Sequence, residues 1–87
     1  MGYAMISYHL PVSSLVVIEV YTSVGGEVIT LVEETQETGF HFVEWDGRDA
    51  AGNPMPHGWY IYRFDLNAHP QVRLIPLVPE KDPLAET

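Results

Sequence analysis

The chain has 87 residues, 46% of them hydrophobic, with no cysteine and with twelve acidic against four basic side chains, a formal charge of −8. A chain of this length fits one small domain that buries only about 60% or slightly more of its unfolded surface, and without cysteine neither a disulfide nor a thiolate metal site can support it. The acidic balance argues against nucleic acid and anionic membranes, which require a basic footprint, and favours solubility or a basic partner.

Hydrophobicity alternates with period two along most of the chain, which predicts strands and no helix. Ile6, Tyr8 and Leu10 alternate with Ser7 and His9 before Pro11. Val16, Ile18 and Val20 alternate with Val17, Glu19 and Tyr21. After the turn Ser23-Val24-Gly25-Gly26, Glu27 to Val32 forms a third strand, and Glu33 to Gly39 reads as a polar, acidic loop. His41, Val43 and Trp45 alternate with Phe40, Phe42 and Glu44. Asp46 to Gly58 is a double turn whose backbone is set by Gly47, Gly52, Pro54 and Pro56. Tyr60, Tyr62 and Phe64 then alternate with Trp59, Ile61 and Arg63. Val72 to Val78 is a last apolar run in which Pro76 predicts an edge position or an early stop. Residues 79–87 read as a flexible tail after a domain spanning 1–78. No apolar run approaches about 18 residues, so membrane insertion by a helix is not expected. No basic region precedes an apolar stretch at the start, so no signal peptide is read.

"ISYHLP", "VYTSVGGEVITLVE" and "GFHFVEWDGRDAAGNPMPHGWYIYRF" resemble the immunoglobulin-like domain of the flagellar hook-capping protein, the FlgD-like Ig domain, also found as a C-terminal module of secreted bacterial proteins. The resemblance covers Ile6 to Val78 and is most specific at Trp45-Asp46-Gly47-Arg48-Asp49, Gly52, Gly58, Tyr60 and Tyr62. It implies an all-β immunoglobulin-like sandwich of six to seven antiparallel strands, a bacterial origin, an extracellular or cell-surface setting, and a structural rather than catalytic task. Within it, Trp45 is expected as the core anchor, Asp46 and Asp49 as turn caps, Gly47 and Gly52 as positive-φ positions, and Gly58 as the entry to the next strand beside Trp45. Tyr60 and Tyr62 are expected to bury their rings and direct their hydroxyls to backbone partners. The chain departs from the family pattern at Phe40 and Phe42, usually polar, at Trp59, usually small or β-branched, and at Pro76.

His41 and Glu44 fall on opposite faces of one strand, which is poor geometry for a general base and its partner. His9, His57 and His69 have no paired ligand spacing. "DGRDAAGN" gathers oxygen ligands in a turn but lacks the calcium-loop register and its closing bidentate acid. Ser13 and Ser14 lack a nucleophile elbow, and no glycine-rich phosphate loop exists. Neither enzyme chemistry, a metal site nor a cofactor is expected.

The predicted core is Ile6, Tyr8, Leu10, Val16, Ile18, Val20, Val28, Leu31, Val43, Trp45, Tyr60, Tyr62 and Phe64. Alternation then sends Phe40, Phe42, Trp59 and Ile61 outward. These four are the candidate contact residues for a protein partner, copies of the chain itself included, with the two patches on opposite sheets and the chain ends adding strand pairing. The alternative is a carbohydrate-binding sandwich that uses the exposed rings as sugar platforms.

Overall fold

The computed structural model describes residues 2–79. It consists of six strands: β1 (Gly2–Leu10), β2 (Ser14–Tyr21), β3 (Glu27–Gln36), β4 (Gly39–Trp45), β5 (Gly58–Leu66) and β6 (His69–Pro79). All pairings are antiparallel. The strand order is β3-β2-β5-β6-β1-β4. Among the described residues the link between β6 and β1 is short, with Gly2 and Tyr3 opposite Pro79 and Val78. At that corner the sheet curls over, and the β1–β4 ribbon covers the inner face of the other four strands. The result is the immunoglobulin-like all-β sandwich that the alternation and the resemblance predict.

Every second residue of each strand points between the layers. Ala4, Ile6 and Leu10 of β1, Val16, Ile18 and Val20 of β2, Val28 of β3, Trp45 of β4, Tyr60 of β5, and Ile75 and Leu77 of β6 form the buried core. Trp45 is 1% exposed and meets Tyr60 edge-on at 5.0 Å between ring centroids. Tyr8, Leu31, Val43, Tyr62 and Phe64, expected inside, are half-buried and pack on the core's margin. Leu31 owes its position to an irregularity: the β2–β3 register shifts between Ile18 and Glu19, which removes Leu31 from the alternation.

Strand boundaries differ from the sequence reading at several points. The acidic stretch from Glu33 to Gly39 is mostly strand, because Ser14 to Val17 offer a backbone partner to Gln36 through Glu33. An edge strand exposed on both faces carries no apolar signal, so its charges read as a loop. Gly2 to Met5, expected as a free end, are the first part of β1 and already paired. Pro76 does not end the last strand. It sits opposite Trp59 in a ladder that continues to Gly58 and Leu77. Of the predicted tail, Pro79 closes β6 opposite Gly2, and the remainder lies outside the described residues.

Candidate interaction surface

The tryptophan-to-tyrosine stretch builds a corner. Trp45 Nε1–H donates to the Arg48 carbonyl at 2.8 Å, which folds the turn back onto the core. Asp46 Oδ1 accepts from the Arg48 amide at 3.1 Å. Asp49 Oδ1 accepts from the amides of Ala51 and Asn53 at 3.0 and 2.9 Å. Both carboxylates therefore spend an oxygen on capping amides, the task their turn positions predict. Arg48 Nη1–H donates to the Gly52 carbonyl, and the Ala50 amide ties the corner to the Val28 carbonyl of β3. Gly47 adopts φ +78° and Gly52 +87°. Gly58 differs from expectation: a side chain there would meet open space, and what the site requires is φ +147°, not a close approach to Trp45.

His41 and Glu44 face opposite sides of β4, as alternation predicts. His41 lies on the inner side of β4, stacked on Tyr8 at 5.5 Å, and its Nε2 binds the Glu37 carbonyl at 2.7 Å. Glu44 points to the opposite, exposed side. Among the described residues, no three His, Asp or Glu side chains are placed to share a metal ion.

Tyr60 is held by burial and by its hydroxyl, which donates to the Pro56 carbonyl at 2.6 Å. Tyr8 donates to Gln36 Oε1 on the far end of β3. Tyr62 is half-buried and lines a cleft described below. Burial pushes the Tyr60 hydroxyl above its ordinary value of 10.0. It does the same for Tyr8, with the nearby Glu34 pushing in the same direction and the Gln36 bond opposing. A raised folded value favours the neutral phenol. The contribution is thus present in full below about pH 10 and is lost as pH rises through the raised value. Urea midpoints measured from pH 8 to 11.5 are expected to fall above about pH 10, and Tyr60→Phe is expected to shallow that fall. An unchanged slope would show that Tyr60 does not report the alkaline transition.

The outer surface carries the aromatic side chains that alternation sends outward. Phe40 is 88% exposed, Phe42 68% and Trp59 62%. Ile61 shares the outward face but is half-buried, between Tyr21 and Leu74 on the neighbouring strands. β6 adds Val72, Leu74 and Val78, and β1 adds Tyr3 and Met5, all exposed. Sequence reasoning missed the β6 residues because Val72 to Val78 is apolar on both faces, so period two has no contrast there. The pairing supplies it: Ile75 and Leu77 face inward opposite Tyr60 and Gly58, and Leu74 and Pro76 outward opposite Ile61 and Trp59.

The two patches lie on the two opposite layers, as expected, and the outer surface runs from one to the other around the curl. Phe42 lies opposite Ser7 beside Met5, Tyr3 is opposite Val78, and Pro76 is opposite Trp59. One apolar belt therefore runs from β4 across β1 and β6 to β5. Three strand spacings, roughly 14 Å, and the turn of the curl separate the Phe42 ring from Trp59.

The FlgD Ig-like domain model matches residues 5–69. No curated protein matches the chain. Among solved structures, FlgD from P. aeruginosa is similar, with 29% identity and a TM-score of 0.61 over 86% of this chain. The chain spans 60% of the length of that structure. With the sandwich, the Trp45 corner and a family match over most of its length in agreement, the chain belongs to the FlgD Ig-like domain family.

Proposed function

We propose that this domain is a non-catalytic structural module that works by protein–protein contact at or outside the bacterial cell surface, with copies of itself among its partners. The apolar belt carries the reading. Its three exposed rings alone amount to roughly 400 Å² at about 200 Å² per full aromatic side chain. The largest patch on an ordinary monomer is about 300–600 Å². Adding Met5, Tyr3, Val72, Leu74 and Val78 brings the belt near the roughly 800 Å² per partner of a standard interface. Aromatic side chains, phenylalanine among them, are enriched at interface cores, and tryptophan is among the side chains that most often anchor binding, worth upwards of about 2 kcal/mol when centrally buried. The family supports the same task, since its namesake domain belongs to a protein of flagellar hook assembly.

The charge of −8 opposes contact between copies, so salt is expected to strengthen it by screening. Light scattering on the wild type is expected to show reversible association that grows from low to moderate salt. The Phe42→Ser/Trp59→Ser double variant is expected to stay monomeric. A wild type that remains monomeric at high concentration in both salts would sink self-association and leave a different protein as the partner.

A further inference from the structure

Among the described residues, β1 and β6 pair only at the corner formed by Gly2 and Tyr3 with Pro79 and Val78. Beyond it the strands part and leave a cleft of about 270 Å³. Ser7 and His9 of β1 form one wall, Gln71 and Arg73 of β6 the other, and Tyr62 and Phe64 of β5 the floor.

The backbone of β6 facing this cleft is unpaired, and the prolines show which atoms it presents. Pro70 and Pro76 have no N–H, yet the β5–β6 ladder runs unbroken from Gly58 opposite Leu77 to Leu66 opposite His69. In an antiparallel pair, successive residues send their N–H and C=O to opposite edges. The even-numbered residues of β6 therefore turn away from β5, and Val78, the next of them, is the one that pairs with Tyr3. The Val72 carbonyl fits this, since Arg73 Nη1–H reaches it at 3.1 Å along the open edge. Val72 and Leu74 thus direct two amides and two carbonyls along the open edge that borders the cleft, fenced by a proline on either side.

We propose that the cleft is a strand-addition site for a short extended segment of a partner protein, one bearing a carboxylate at its middle position. An unpaired strand edge is complementary to polypeptide backbone, whose amides and carbonyls continue the ladder. The proline fence limits the added strand to about five residues, because neither Pro70 nor Pro76 can donate. The charges select its side chain. Arg48 and Arg63 lie beside Asp46 and Asp65, whereas Arg73 has no carboxylate partner among the described residues and contacts only Gln71 and the Val72 carbonyl. No acid lines the cleft. A residue of the added strand opposite Arg73 would place its side chain on the same face. A carboxylate there meets the guanidinium, and the residue two places on, beside Ile75, is apolar.

The probe is a capped heptapeptide with threonine at odd positions, valine at the second and sixth, and glutamate at the fourth. Nitrogen-15 NMR titration of the full chain is expected to shift the Val72 and Leu74 amides and slow their exchange at millimolar peptide. Replacing the glutamate by glutamine is expected to weaken binding about threefold, the scale of one partly exposed ion pair. Arg73→Gln should give the same loss and make the two peptides equivalent. Leu74→Pro should abolish binding while leaving the β5 amides in place, since two prolines already occupy that kind of position. The Phe42→Ser/Trp59→Ser variant should bind the peptide like wild type, which separates this site from the belt. Shifts that bypass Val72 and Leu74, or their absence at millimolar peptide, overturn the proposal. So does equal binding of both peptides to wild type. If the same amides shift when the protein is concentrated without peptide, the occupant is a second copy and the assignment to a different partner is wrong.

Discussion

Trp45→Ala is expected to leave the domain largely unfolded or to lower its melting temperature by at least about 15 °C. The indole is 1% exposed, and the β1–β4 ribbon and Tyr60 close around it, so truncation leaves a cavity that a two-layer sandwich cannot readily collapse. Loss of a packed aromatic of this size costs about 3–5 kcal/mol. The variant also loses the Nε1–H bond of 2.8 Å to the Arg48 carbonyl, so the turn that follows β4 is released from the core. A domain's whole margin is about 5–15 kcal/mol, and each kcal/mol moves the midpoint of a chain this size by about 4–8 °C. Trp45→Phe should fall between, since it keeps most of the ring and the edge-on contact with Tyr60 but not the bond. Circular dichroism melts of the three proteins test the order. A Trp45→Ala variant melting within a degree or two of wild type would mean that β4 is placed one residue out of register, with Glu44 and Trp45 exchanging faces.

Alternation alone places β4 in this register. β1, β2, β4 and β5 each have one wet and one dry face, so period two separates Ile6 from Ser7, Ile18 from Glu19, Val43 from Glu44 and Tyr60 from Trp59. The same rule places Phe40, Phe42 and Trp59 outside, against their hydrophobicity, because each sits between two inward neighbours. β6 defeats the rule: Val72, Leu74 and Pro76 are as apolar as Ile75 and Leu77, and only pairing with β5 tells the faces apart. The end of β3 defeats it in the opposite sense, since Glu33 to Gln36 are all polar and extended only because β2 offers a ladder.

The candidate surfaces divide along the same line. The exposed rings follow from local alternation. The belt and the cleft do not, because both arise where β6 meets β1, and those strands are separated by almost the whole chain. Pro76 is the clearest case. In sequence it signals an edge position or an early stop. In the fold it occupies the one edge orientation that a missing N–H tolerates, and it then limits what can be added to that edge.

The same corner makes Gly47 the position with the second largest expected effect. Its φ of +78° lies in the left-handed region, and a Cβ there would stand 2.9 Å from the Gly2 carbonyl oxygen and 3.2 Å from Leu77 Cδ1. Gly52 supplies a matched control, with φ +87° and nothing within 4 Å of a Cβ. Gly52→Ala should therefore show the conformational cost alone, about 1–2 kcal/mol. Gly47→Ala adds a clash with backbone that cannot rotate away. Relief requires Gly2 to move, and Gly2 is half of the short ladder that joins β1 to β6. A total of about 3–4 kcal/mol is expected, within the range of overpacking and strain combined. Urea unfolding at constant m resolves the two variants. Hydrogen exchange locates the difference: the amides of Tyr3 and Val78 should exchange faster in Gly47→Ala and stay at wild-type rates in Gly52→Ala. Equal midpoints for the two variants would show that the Trp45 corner does not press on β1, and that the β1–β6 link is held by its two residue pairs alone.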